Sequence, residues 1–259
     1  MIVHVLILWA VIGAGTALAV VFHRRGRSEE APEYQSALTF VGASYGLLLG
    51  LLVVFAVGHY NDVQSVSQQE ASSLVSLYDT VGVYPAQTSD PIRHDLVCYM
   101  RSIVQDEWPA MERGSQLEAP TTLGFGDQLR AALRNLPDTN AVQGSAYGRA
   151  NSIVSDASAS RQRLLFFTQP RIPPALWLVI YVGAFLVFFL LAGHYATRRP
   201  GRIWSLATVA LLMTVVVAVL ASLDQPYGFG VHAQPDQMRQ AINLVLVGEK
   251  SPVVLQACR

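Results

Sequence analysis

Glu70 is the residue whose placement most calls for a chemical explanation. It lies four residues after Val66 and four before Leu74, on the apolar stripe of a helical pattern. A lone carboxylate there is costly to bury. Two arginines could meet it as a buried ion pair: Arg101, within the stripe of Val97, Val104 and Trp108, and Arg161, between Ala157 and Leu165. The simpler role for such a pair is to fix helix register; the rarer one is to handle a proton or an ion.

A second constellation is steric. Gly42, Gly46 and Gly50 recur at four-residue spacing inside an apolar run, with Ala43 and Ser44 adding small surface and Tyr45 beside them. This doubled GxxxG pattern lets helix backbones approach closely. It serves packing within a bundle, packing in an oligomer, or the lining of a pore. Other chemistry is sparse. His94 and Cys98 are one helical turn apart, but no third ligand is in view, and no metal site is expected. Cys98 and Cys258 have no CxxC spacing, and a single bridge between them is left open. No GxSxG, Walker-type loop, dinucleotide fingerprint or HExxH motif occurs, so neither an enzyme nor a cofactor is expected.

The elements carrying these residues are unusual for a soluble domain. Of the 259 residues 52% are hydrophobic and only 14% charged, with a formal net charge of zero. Lys250 is the sole lysine. That composition argues for a lipid-embedded portion and against nucleic acid as a partner. Four segments, Ile2 to Phe22, Leu38 to Val57, Pro174 to Gly193 and Ile203 to Leu223, are nearly uninterrupted apolar runs of the roughly 20 residues needed to cross hydrocarbon. They are too long and too uniform for barrel strands, which would alternate. The first lacks a basic start, so an uncleaved anchor is expected despite the signal-like Ala17 and Ala19.

The expected fold class is therefore an all-α integral membrane protein with a helical soluble bundle inserted between the second and third spans. The parts are spans one and two in 1–58, the bundle in 59–172, spans three and four in 173–223, and a turn with a short amphipathic helix in 224–259. Within the bundle the second span runs on without a breaker until Pro85, and a helix starts near Ser89 or Asp90 and is bent by Pro109. The stretch Gly114 to Gly126 is predicted as a loop, Asp127 to Leu136 as a short helix, and about Ala141 to Gln169 as a long one. After the fourth span, Asp224, Pro226, Tyr227 and Gly228 form a tight turn at the membrane surface, where Tyr227 and Phe229 suit interfacial anchoring. Met238, Ala241, Ile242 and Val245 then give a short helix one apolar face, for the membrane or for the bundle.

Orientation follows from arginines. The short connections carry Arg24, Arg25 and Arg27 in one case and Arg198, Arg199 and Arg202 in the other. The positive-inside rule places both in the cytoplasm, with both termini and the bundle on the opposite side of the membrane. Arg161, Arg163 and Arg171, just before the third span, count the other way.

Taken together, Phe40-Val41-Gly42-Ala43-Ser44-Tyr45-Gly46 running into His59-Tyr60 and Glu70-Ala71, then Glu107-Trp108-Pro109, then Asp224-Gln225-Pro226-Tyr227-Gly228, resemble a bacterial family of membrane proteins described as bestrophin-like. The resemblance covers essentially the whole chain. Bestrophins are oligomeric anion channels whose second span lines the pore, so the likeness implies a homo-oligomer with an ion as its passenger. Bestrophins carry a tryptophan-rich, arginine-containing stretch where this chain has Tyr60-Asn61-Asp62-Val63, and they keep their soluble portion in the cytoplasm. Two functions are thus in play: a passive channel-like oligomer, and a non-conducting membrane anchor whose bundle binds a protein or an envelope component. No charge lies within any span, which disfavours an active transporter.

Overall fold

The computed structural model describes residues 2–25, 33–169, 172–194, 202–224, 227 and 233–258. Every regular element among them is helical: α1 (Ile2–Arg25), α2 (Glu33–Val81), α3 (Ala86–Ser102), a π-helical turn (Ile103–Glu107), α4 (Trp108–Glu112), α5 (Pro120–Arg134), α6 (Ala141–Phe166), α7 (Pro174–His194), α8 (Arg202–Leu223) and α9 (Asp236–Leu246). Four of these helices, α1, α2, α7 and α8, contain stretches long and apolar enough to cross a membrane. The connections 26–32 and 195–201, with Arg27, Arg198 and Arg199, lie outside the described residues, as do Arg171, Pro226, Gly228 and Phe229.

Two compact units divide the chain. The first comprises Met1–His59, Pro170–Gln225 and Phe229–Val231; the second comprises Tyr60–Gln169, Pro226–Gly228 and His232–Arg259. In the first, α7 packs on α1 and α8. Gly15 makes the α1 to α7 approach close, since a Cβ there would sit 3.0 Å from the Phe185 carbonyl oxygen. The N-terminal part of α2 meets α7 through Tyr45, whose hydroxyl donates to the Ile180 carbonyl at 2.8 Å. The Tyr45 ring fills the space where Gly183 lacks a Cβ. His4 stacks on Trp177 and hydrogen-bonds Tyr181 across the same helix pair.

The second unit is built on two apolar clusters. One gathers Leu74, Leu77, Leu96, Met100, Ile103, Leu133, Ala157 and, from α9, Met238 and Val245. The other gathers Val63, Trp108, Met111, Leu164, Tyr227 and Ala233. The short amphipathic helix therefore turns its apolar face to protein, as α9. Tyr227 likewise departs from the interfacial anchoring expected of it. It is buried, edge-on to Trp108 with ring centroids 5.4 Å apart, and its hydroxyl donates to the Leu164 carbonyl.

Some boundaries depart from the sequence expectation. Helix α3 begins at Ala86, before Ser89 and Asp90, and carries Pro91 within its first turns. Helix α5 begins at Pro120, seven residues before Asp127, because proline suits the first turn of a helix and the Ala119 N–H finds a side-chain acceptor. Before Pro109 the helix widens into a π-turn: the Trp108 N–H reaches back to the Ile103 carbonyl. A proline ring crowds the carbonyl four residues earlier, here that of Gln105, and the extra residue in the turn relieves that crowding.

Candidate functional site

The boundary between the two apolar clusters is charged. On α2, Glu70 falls between Val63 of one cluster and Leu74 of the other. On α6, Arg161 falls between Leu164 and Ala157, and in the π-turn Glu107 falls between Trp108 and Ile103. Three elements thus each contribute one charge to a polar layer in an apolar interior, and all three residues are buried, at 1%, 1% and 0% exposure. Arg161 Nη2 lies 2.7 Å from Glu70 Oε1. The approach is close, but its angle falls outside hydrogen-bonding geometry. Glu107 Oε2 accepts from the Ala119 N–H at 2.6 Å, at the start of α5, while its Oε1 is buried without a hydrogen-bond partner among the described residues.

Arg101 does not join the layer. Its Nη1 points to Cys258 Sγ, 3.7 Å away. The stripe that suggested it as a partner runs on into the π-turn, where Glu107 is the charged residue that is buried. Glu107 is the residue that the sequence reading passed over as a site candidate. The signal for it was Pro109 two residues on, closing an apolar stripe whose period had to slip.

Burial pushes the Glu70 carboxyl up from its ordinary range to about 7, the pull of Arg161 being too small to offset it; Glu107 and Glu118 add to the rise. For Arg161, burial works against the charge, but attraction from Glu70, then Tyr99 and Glu107, outweighs it and raises its pKa. Tyr99, from α3, lies in the same field, and burial pushes its hydroxyl up to about 12.

The small-residue face of α2 is disposed differently. Gly46 and Gly50 are exposed, Gly42 is half-buried, and a Cβ added to any of the three would meet nothing within 4 Å. Ser44 is exposed while Tyr45 is turned inward to α7. Phe40 and Leu47 alongside are 75% and 78% exposed. The stripe therefore packs on no other described helix of the same chain.

Asp224 closes α8 on the first unit, its Oδ1 accepting from the Ile172 N–H at 2.7 Å. Cys98 and Cys258 are joined by a disulfide. The polypeptide leading to Cys258 is also held by Glu249, which accepts from the Tyr78 hydroxyl and the Ser251 N–H, and by Ser251, whose hydroxyl donates to Asp90 at 2.7 Å. No group of three or more metal-ligating side chains occurs among the described residues.

The bestrophin-like domain pattern fits residues 6–238, nearly the whole of this arrangement. The chain belongs to the bestrophin-like family. Solved structures agree on the fold. A mutant bestrophin homologue from Klebsiella pneumoniae superposes with a TM-score of 0.66 at 13% identity, covering 94% of this chain and 99% of that one. Two other mutants of the Klebsiella pneumoniae homologue give TM-scores of 0.68 and 0.65, each at 10% identity, covering 97% and 98% of this chain and 99% of theirs. At such identities the likeness establishes the bestrophin-like fold alone. Comparison with curated proteins gives no match.

Proposed function

We propose that this bestrophin-like protein is a passive ion channel of the bacterial inner membrane, assembled from several copies whose α2 helices pack around a common axis through Gly42, Gly46 and Gly50. One observation carries the reading: Gly46 and Gly50 face away from the chain's own helices with open space over each Cα. Gly15 and Gly183, by contrast, are filled by neighbours in the same chain. Glycines without an intramolecular partner, in a membrane helix, fit close approach to another copy. Bestrophins supply the analogy for conduction along such a face.

The disulfide supports an orientation. Such bonds persist on the oxidising side of a bacterial inner membrane and are rare in its cytoplasm. Cys98 and Cys258 are separated by α7 and α8, two crossings, and so fall on one side. That side is the exterior, in accord with the arginines of the short connections, and both termini lie there with the bundle.

Flux of chloride, potassium and sodium through purified protein in liposomes tests the channel. Selective flux is expected, and Gly46→Leu should abolish it in a still-assembled protein; absence of flux across pH, calcium and voltage would sink the proposal. A reporter fused near Leu117, active only outside the cytoplasm, should be active. The alternative, a non-conducting anchor with a binding module, has one feature in its favour. An open groove of about 600 Å³ in the second unit offers Ser76, Asp79, Thr80, Ser145 and Arg149 to a polar ligand.

A further inference from the structure

We propose that Glu70, Arg161 and Glu107 form a proton-binding site inside the second unit, taking up a single proton whose presence sets the packing of α2 against α6 to the pH of the compartment that unit faces. The case begins with a charge count. Two carboxylates and one guanidinium share an interior layer between apolar clusters, each residue essentially without solvent exposure. With both acids ionised the layer carries one uncompensated negative charge, which an apolar interior tolerates poorly. With one acid protonated the layer is neutral.

The surroundings decide which acid takes the proton. Glu107 accepts a backbone N–H at 2.6 Å. Glu70 Oε1 faces the guanidinium at 2.7 Å. A buried ion pair offsets its desolvation only when the alignment is good and the remaining lone pairs are met. At Glu70 burial and the neighbouring carboxylates outweigh the guanidinium, so its carboxyl takes the proton. As a neutral acid it gains an O–H with which to donate, and Ser67, one turn earlier on α2, has a buried hydroxyl oxygen without a hydrogen-bond partner among the described residues.

The groups facing Glu70 come from every element around it: Arg161 from α6, Glu107 from the π-turn, Glu118 from the segment before α5, Tyr99 from α3 and Tyr227 from the segment after α8. Of these only Arg161 is cationic; the carboxylates raise the affinity of Glu70 for a proton, in the same direction as its burial. The linkage has a definite sign. A carboxyl whose pKa is raised by folding contributes stability that is full below its ordinary value of 4.5 and is lost as pH rises through about 7. The second unit should therefore be tighter in mildly acidic surroundings and looser in alkaline ones. The site stands whether or not the protein conducts, because it rests on the interior of one unit and not on the glycine face.

The test is pH-difference infrared spectroscopy of the full chain in lipid nanodiscs between about pH 5 and pH 8.5, following the protonated-carboxyl C=O stretch. The wild-type protein should show one buried carboxyl deprotonating near neutral pH. Glu70→Gln should lose that band and keep its helical amide signature. Glu107→Gln removes the competing negative charge, so the Glu70 transition should move to lower pH, a shift that a purely structural ion pair would not show. The proposal is overturned if the wild-type protein has no titrating buried carboxyl in that range, if the band survives Glu70→Gln, or if Glu107→Gln leaves the midpoint unmoved.

Discussion

The two units solve opposite solvation problems with the same kind of helix. In the first, long rows of apolar side chains face outward: Leu6, Phe40, Leu47, Leu51, Val54, Leu211 and Leu212 are all more than 60% exposed. Its inward contacts use small residues and hydroxyl-to-carbonyl bonds, as at Gly15, Gly183 and Tyr45. In the second, exposed apolar residues such as Val83 and Val142 sit among polar side chains, Ser76, Asp79, Ser145 and Arg149. There the interior holds a layer of full charges and a disulfide. Where lipid replaces water outside, burial of apolar surface no longer drives association and close packing takes over. Where water is outside, apolar clusters supply the stability and a buried charge can be spent on register or on proton binding.

Substitutions in each unit can break this contrast. The largest effect is expected at Arg161→Ala, which strands two buried carboxylates and should cost about 3–5 kcal/mol in denaturant unfolding of the second unit. A loss below about 1 kcal/mol would mean that the charged layer does not organise that unit. Next is the Cys98→Ser, Cys258→Ser pair, which removes a tie across a sequence separation of 160 residues. It should lower stability by about 2–4 kcal/mol, with a matching loss when the wild-type protein is reduced. Gly183→Ala puts a methyl against the Tyr45 ring and should cost about 1–3 kcal/mol of thermal stability in the first unit. Gly46→Ala, with open space over its Cα, should leave the stability of a monomer in detergent unchanged and show its effect in the assembled protein, read by cross-linking and by flux. The smallest measurable loss of stability is expected at Tyr45→Phe, which removes one buried hydrogen bond worth about 1 kcal/mol. Equal responses at Gly46 and Gly183 would erase the distinction between an inward and an outward glycine face.

The four apolar helices were legible because length and uniform apolarity leave few alternatives over some 20 residues. Glu70 could be picked out because a carboxylate interrupts an apolar period, and Arg161 was one of two arginines that could answer it. The choice between Arg161 and Arg101 could not be made from spacing, since it depends on a contact distant in sequence, that of Arg101 with Cys258. The start of α5 was hidden for a related reason. Gly124 and Gly126 look like loop residues, and what holds the helix there is Glu107, a partner distant in sequence. Tyr227 looked suited to a membrane surface because its amphipathic ring fits there; its burial depends on Trp108, more than a hundred residues earlier. Pairing of the cysteines had no local signature at all.

The disulfide also imposes an order on assembly. Cys98 is made early, but its partner at 258 follows α7 and α8, so the bond can close only after both later helices have been synthesised. In the proposed topology, a chain with one of those helices left uninserted would hold its two thiols in different compartments and could not form the bond within itself. The linkage thus excludes chains in which only one of the two helices has crossed, and the reduced fraction on a non-reducing gel reports such chains.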